Sequence, residues 1–427
     1  MDFTPPRGTA DWLPPGSERL RAVYDLAHGV AGRFGYRYVE TPTFEDTALF
    51  ARSSGGTSDV VSKEMYTFAD RGGRSVTLRP EGTAPVVRAY LQNEHDLPVP
   101  FKGYYVETLF RYGRPQKGRL REYRSFGIEV IGAEAPEADV EVILVGAEFL
   151  RQAGVHRFEL QLNSIGDETC RPRYRLALVD YLEENAGRLR DEHRDRFRDN
   201  PLRVLDCKDE ACRAVAASAP KMSDDDWSWL CEDCRAHFEA VRTGLEREGT
   251  GFVIVPTLVR GLDYYTRTVF EFVSEELSQS QGSIIAGGRY DGLAEVLGSR
   301  ARVPAVGFGL GIERVLLALD EEGAAIRPSG GLDAYVVFMG DPGRAYAREV
   351  ASRLRALGRS IDMPLSVRPL KAQLHAADRG GARFAVILGE KEAAGSTVTW
   401  KRLSDGAQFE GSIEDAARAL DTSEGTG

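Results

Sequence analysis

Long apolar runs are missing from this chain of 427 residues. No segment approaches the ~18 consecutive apolar residues that a membrane-spanning helix needs. The opening MDFTPPRGTADWLPPG has neither a basic start nor an apolar core, so a secretory leader is not expected. Internal repeats and low-complexity tracts are also lacking. Cysteine is scarce, five in all. Without an export signal, disulfides are not expected, which leaves metal ligation open for clustered thiols. Together these absences predict a soluble, cytoplasmic protein.

Hydrophobic residues make up 42% of the chain and charged residues 28%, the composition of a folded globular protein. The length exceeds one ordinary core and predicts two or three domains. Leu20, Val23, Tyr24, Ala27, Val30, Ala31 and Phe34 recur at helical spacing, and Gly35 stops the helix. Val140, Ile143, Leu144, Ala147 and Leu150 mark a second amphipathic helix. Strand patterns fall at 36–41, 75–79, 104–111, 128–132 and 158–162, and resume at 252–255 and 268–273. Strands joined by loops with only occasional helices predict an α+β fold, an antiparallel sheet with helices around it. Residues from about 168 to 250 are highly charged and read as an insertion between two halves of that sheet domain. Glu321–Gly331, EEGAAIRPSGG, reads as a linker. Beyond it, strands and helices alternate as in a small α/β domain. The expected division is 1–325 with its insertion at about 168–250, a linker at 326–331 and an α/β domain at 332–421.

A net charge of −10 does not exclude a nucleic-acid partner, because phosphate contacts need only a local basic surface. Residues 101–125 supply one: Lys102, Arg111, Arg114, Lys117, Arg119, Arg121 and Arg124 stand against Glu107 and Glu122. A solvated charged loop is the plain reading of such a run. Three further stretches are dense in groups that handle phosphates or an amino acid: LRPEGT at 78–83, RGLDYYTRTVFE at 260–271 and VGFGLGIERVL at 306–316. Singly, each has an ordinary explanation, since glycines at 307, 309 and 311 serve close packing as well as nucleotide binding.

Their order is more informative. Tyr38-Val39-Glu40-Thr41-Pro42, Phe110-Arg111 with its basic loop, and Gly307-Phe308-Gly309-Leu310-Gly311-Ile312-Glu313-Arg314 resemble the three signature motifs of class II aminoacyl-tRNA synthetases. Arg260-Gly261-Leu262-Asp263-Tyr264-Tyr265-Thr266 and Gly287-Gly288-Arg289-Tyr290-Asp291-Gly292-Leu293 resemble patterns peculiar to the histidyl-tRNA synthetases, and the likeness runs from Arg7-Gly8-Thr9 into the last domain. The resemblance implies a catalytic antiparallel sheet with an insertion, an anticodon-binding α/β domain, a homodimer, and charging of histidine tRNA with histidine at the expense of ATP and Mg²⁺. It implies catalytic roles for Arg111 and Arg260 at the α-phosphate, because a planar charged fork holds phosphate and carboxylate oxygens in fixed geometry. Glu81, Thr83, Arg111, Ser125, Glu129, Arg260, Tyr264 and Tyr265 would hold histidine. Glu129 and Tyr265 would face the two imidazole nitrogens, one a donor and one an acceptor. Arg111, Arg119, Tyr123 and Arg314 would bind ATP, and Arg114, Gln116 and Lys117 the tRNA acceptor end.

Two positions depart from the family pattern. Gly113 stands where a glutamate belongs, and Ser125 replaces a glutamine, so a water would have to bridge the gap. The family's paralogues that bind histidine and regulate ATP phosphoribosyltransferase without charging tRNA form the alternative reading. Those proteins characteristically lack the last domain and carry degraded arginine and tyrosine motifs.

Cys207, Cys212, Cys231 and Cys234 read C-x4-C-x18-C-x2-C, near the paired spacing of structural zinc sites, with His237 close enough in sequence to substitute. Two readings stand beside each other: a Zn²⁺ staple for a charged insertion poor in large apolar residues, or small buried thiols.

Overall fold

The computed structural model describes residues 3–53, 64–205, 207, 209–223, 227–259, 264–278, 281–326 and 331–421. The chain forms two compact units, Met1–Arg327 and Pro328–Gly427.

The first unit opens with α1 (Gly16–Arg33), β1 (Arg37–Tyr38), β2 (Phe44–Asp46), α2 (Thr47–Ser53), β3 (Tyr66–Ala69), β4 (Ser75–Leu78) and α3 (Thr83–Asn93). The long hairpin β5 (Phe101–Phe110) and β6 (Glu122–Ile131) follows, then α4 (Glu137–Ala153) and β7 (Phe158–Ser164). Helices α5 (Arg171–Glu184), α6 (Asp191–Arg194), α7 (Leu202–Leu205), α8 (Glu210–Ala217) and α9 (Glu232–Arg247) form the insertion. The chain returns through β8 (Val253–Ile254), β9 (Thr266–Ser274), β10 (Ser283–Arg289), α10 (Leu293–Val296), β11 (Ala305–Gly311) and α11 (Ile312–Glu321).

Eight strands make one sheet in the order β1-β5-β6-β11-β10-β9-β7-β8. It is antiparallel except at its two edges, where β1 pairs with β5 and β8 with β7 in parallel. Side chains alternate across a strand, and this alternation separates two functions. Tyr104, Phe126, Ile128, Phe308 and Leu310 point into one buried core, shared with Val23, Ala27 and Val30 of α1 and Val142, Ile143 and Phe149 of α4. The opposite face carries the residues described below, with Val86, Val87 and Tyr90 of α3 in a second core that includes much of the insertion.

The expected strands at 104–111, 128–132 and 268–273 are present and longer, as β5, β6 and β9. The expected strand at 36–41 shrinks to Arg37–Tyr38. Strands β10 and β11 carry no alternating signal, since their sequences are SIIAGGR and AVGFGLG. Glycine is disfavoured in strands, and contact with neighbours overrides that preference here.

The second unit contains β12 (Ala334–Phe338), α12 (Gly340–Ala356), β13 (Ile361–Asp362), α13 (Leu370–Arg379), β14 (Phe384–Leu388), α14 (Glu390–Gly395), β15 (Val398–Arg402), β16 (Gln408–Gly411) and α15 (Ile413–Asp421). Its sheet runs β13-β12-β14-β15-β16. The unit has its own core, in which Val336, Val350, Leu354, Val386 and Leu420 are fully buried. Among the described residues, no helix is long and apolar enough to cross a membrane.

Candidate active site

Strand register lays out the floor of the site. Ser125, Gly127 and Glu129 on β6 lie opposite Glu107, Tyr105 and Gly103 on β5. On their other side they lie opposite Gly311, Gly309 and Gly307 on β11, and Gly307 in turn pairs with Gly288 on β10. This face is therefore paved with glycine around two polar side chains. The glycines are required by contact. A Cβ on Gly307 would lie 1.9 Å from a Glu129 carboxylate oxygen, and one on Gly127 would lie 2.2 Å from Tyr105.

Glu129 has no exposed surface. Its carboxylate accepts from the Thr83 hydroxyl at 2.7 Å and from the Tyr290 phenol. Burial pushes its pKa up to about 8, against the opposing pull of the hydrogen bonds from Tyr290 and Thr83. Glu81 stands beside it, also buried and also raised, chiefly by desolvation. Its oxygens accept from the backbone N–H groups of Thr83 at 2.7 Å and Ala84 at 3.1 Å, the free donors at the start of α3. Gly82 between them has no room for a side chain, since a Cβ would sit 2.4 Å from Tyr105.

The LRPEGT stretch thus supplies several parts of one wall. Arg79 anchors it through an ion pair with Glu107 at 2.9 Å and a hydrogen bond to Thr41 O at 2.6 Å. The Pro80 carbonyl accepts from Arg111 Nε at 2.7 Å and from the Tyr123 phenol at 3.0 Å. The Arg111 guanidinium lies 5.8 Å from the Tyr123 ring centre. Its terminal nitrogens have no hydrogen-bond partner among the described residues. Burial disfavours its charge, but Tyr123, Glu64, Glu81 and Tyr264 raise its pKa on balance, so it stays cationic. The Tyr264 ring lies tilted against Tyr265, centroids 4.8 Å apart, and edge-on to Tyr290 at 5.7 Å, which closes the side of the pocket.

Of the residues expected to hold histidine, Glu81, Thr83, Ser125, Glu129, Tyr264 and Tyr265 line this one face with Arg111. Arg260 lies outside the described residues. Ser125 is buried, and its hydroxyl flanks Gly309 together with the Tyr105 phenol. Arg119 pairs with Glu64 at 2.6 Å, and Arg314 donates to the Ser283 carbonyl. Arg114, Gln116 and Lys117 are exposed on the β5–β6 loop, where Lys117 reaches Glu321 at 2.7 Å. Gly113 is buried beside Glu64 and Arg119, so Glu64 places a carboxylate next to the position where the family pattern has a glutamate.

Two site residues escaped the sequence reading. Tyr290 sat unassigned inside GGRYDGL, and Tyr105 lay unassigned within the strand expected at 104–111. Strand alternation over FKGYYVETLF, with Tyr105 on the same face as Glu107, was the available signal.

The proposed set of four cysteines needs correction, because they do not converge on one point. Cys207 and Cys212 gather with His193, while Cys231 and Cys234 gather with Cys170 and Asp167. Cys212 lies on α8, while Cys231 stands at the start of α9 with Cys234 in its first turn. His237 is no ligand for either group, since its Nε2 faces Asp139 at 3.3 Å.

A histidyl-tRNA synthetase family model matches residues 8–166 and 211–315, and an anticodon-binding-domain model matches residues 333–422. The chain belongs to the histidyl-tRNA synthetase family. The histidine–tRNA ligase of Caldanaerobacter subterraneus subsp. tengcongensis is 42% identical over 418 residues, covering 97% of this chain and 98% of that protein. That of Moorella thermoacetica is 46% identical over 408 residues, covering 95% of each. Among solved structures, apo histidyl-tRNA synthetase from S. aureus aligns with a TM-score of 0.80 at 34% identity, covering 98% of this chain and all of that one, 100%. Residues 167–210, the first part of the insertion, fall between the segments matched by the histidyl-tRNA synthetase model.

Proposed function

We propose that this chain activates histidine with ATP, forming histidyl-adenylate, and transfers the histidyl group to the 3′ end of histidine tRNA. The observation that carries the reading is Glu129: a fully buried carboxyl at the floor of a glycine-paved pocket, held by Thr83 and Tyr290 and ringed by aromatic side chains. Each Glu129 oxygen keeps a lone pair beyond the bond it accepts, and the N–H of a histidine imidazole can donate to it. Tyr265 stands on the neighbouring wall, positioned for the second ring nitrogen.

The carboxylate of bound histidine attacks the α-phosphate, and both are anionic. Arg111, cationic and with its terminal nitrogens unclaimed among the described residues, bridges the two and offsets the charge that develops. Arg260 acts at the α-phosphate from the other side. Tyr123 stacks on adenine, with Arg119 and Arg314 at the ATP phosphates and base. Mg²⁺, when bound, would supply positive charge at the outer phosphates. Glu64, Glu81 and Glu313 are the carboxylates that face Tyr123, and each keeps lone pairs beyond the hydrogen bonds it accepts from the protein, so any of them could hold the metal. Arg114, Gln116 and Lys117 receive the acceptor end, residues 332–421 bind the anticodon, and the active form is a cytoplasmic homodimer. The retained Arg111 and Arg314, and the presence of the second unit, favour charging over the regulatory role.

Pyrophosphate exchange into ATP, run over all twenty amino acids, tests the reading. Exchange with histidine alone is expected. Histidine binding without exchange transfers the chain to the regulatory reading. Arg260→His should depress exchange on the order of 10²–10³-fold while leaving histidine binding nearly intact.

A further inference from the structure

We propose that Asp167, Cys170, Cys231 and Cys234 form a structural zinc site at the root of the insertion. Their ligand atoms all lie within 4.8 Å of one another. Cys170 Sγ stands 3.9 Å from Cys234 Sγ and 3.6 Å from Asp167 Oδ1, and Cys231 Sγ stands 3.9 Å from the same oxygen. A tetrahedron with Zn–S of about 2.3 Å and Zn–O of about 2.0 Å has S···S edges of roughly 3.8 Å and O···S edges of roughly 3.5 Å. Three edges of such a shell are thus closely approached, and the other three lie within 4.8 Å.

The local chain is shaped to the same end. Asp167-x2-Cys170 and Cys231-x2-Cys234 are two knuckles of equal span, one ending at the start of α5 and the other beginning at the start of α9. The backbone N–H of Asp167 points at Cys170 Sγ at 3.3 Å, the kind of contact that favours thiolate over thiol. Gly166, at φ +64°, makes the turn, and a side chain there would lie 2.5 Å from Cys170 Sγ. Asp167, Cys170 and Cys234 are buried.

Three thiolates and a carboxylate around Zn²⁺ carry two negative charges in excess. Arg267, with Nη2 at 3.4 Å from Asp167 Oδ2, and the N-terminal turns of α5 and α9 offset them. Soft thiolate ligands in a tetrahedron select zinc over hard cations, and a closed shell of four protein ligands is structural rather than catalytic. The ion joins two ends of the insertion to the sheet. Ile165 N donates to Arg267 O at 2.8 Å and Arg267 N to Gly166 O at 2.7 Å, so the clamp sits two residues from Tyr265 of the pocket wall.

Elemental analysis of the full chain, purified without chelator, tests the site. Cys170→Ser and Cys234→Ser should each carry about one zinc fewer than the unsubstituted protein, as one four-ligand site requires. Cys207→Ser should keep that zinc. Serine variants that misfold are covered by a second measurement. Cobalt-substituted unsubstituted protein should show tetrahedral ligand-field bands with thiolate charge transfer. Asp167→Cys should keep the metal and raise that charge transfer by about a third, the ratio of four thiolates to three. Equal zinc in the unsubstituted protein and Cys170→Ser, an octahedral cobalt spectrum, or a Cys170–Cys234 disulfide found by mass spectrometry in freshly purified protein each overturns the assignment.

Discussion

Glu129 is where a single side chain decides most. Burial raises its pKa from the ordinary carboxyl value of 4.5 to about 8, so the folded chain without ligand must take up a proton there that the unfolded chain releases above pH 4.5. The associated stability is fully present below the unfolded value and is lost as pH rises toward 8. Glu129→Gln should therefore melt above the unsubstituted protein at pH 8, by roughly a few degrees, with the difference closing near pH 5. The same variant should raise the histidine KM in pyrophosphate exchange on the order of 10²-fold while the ATP KM changes little, because only the imidazole loses its partner. Equal losses for both substrates would show that Glu129 does not face histidine. Glu129 itself was singled out in the sequence through the family likeness. Its partner Tyr290 was not, because 161 residues separate the two, and Tyr105 was not, although it lies on the adjoining strand of the β5–β6 hairpin.

At the scale of elements, the GGRYDGL stretch shows how one short segment divides its labour. Tyr290 turns to Glu129, while its neighbours turn the other way. Arg289 is fully buried, paired with Asp139 of α4 and with Asp291 at 3.1 Å, and it also donates to the Ala133 carbonyl at 2.9 Å. Burial alone would raise Asp139, yet the Arg289 charge and His237 hold it down to about 2. The stability this contributes is present above about pH 4 and is lost as pH falls toward 2. Asp139→Asn leaves a buried guanidinium half-paired and should cost about 3–5 kcal/mol in urea unfolding at pH 7. A cost below about 1 kcal/mol, the level of an exposed pair, would mean that the cluster is not holding α4 to β10. Nothing in the sequence announces this pair, since 150 residues separate its members. The glycine-rich β10 and β11 were hidden for a related reason: their strand form follows from what must fit above them, while intrinsic preference argues against it. Alternating β5, β6 and β7 carried their own signal and were readable at once. The cysteines illustrate the same limit, because linear spacing grouped four that folding separates and left out Cys170 and Asp167.

At the scale of the whole molecule, the two units have separate cores, so a chain ending at Arg327 should fold by itself. It should keep histidine-dependent pyrophosphate exchange within several-fold and lose tRNA charging on the order of 10²-fold or more, as expected when one of two binding modules is removed. Charging retained at the full rate would detach the second unit from tRNA recognition. The high pKa of Glu129 has one further consequence, visible in the protons the molecule trades with its solvent. Near pH 7 the empty pocket already holds a proton on Glu129, and free histidine arrives with a mostly neutral ring. The complex then shares that proton between carboxyl and imidazole, and none need cross to the buffer. Above pH 8 the pocket is empty of it, and binding draws about one proton from solution; well below pH 6 the ring brings its own, and binding expels about one. Titration calorimetry in buffers of different ionisation enthalpy should accordingly give coincident heats near neutrality that fan apart, with opposite sign, on either side.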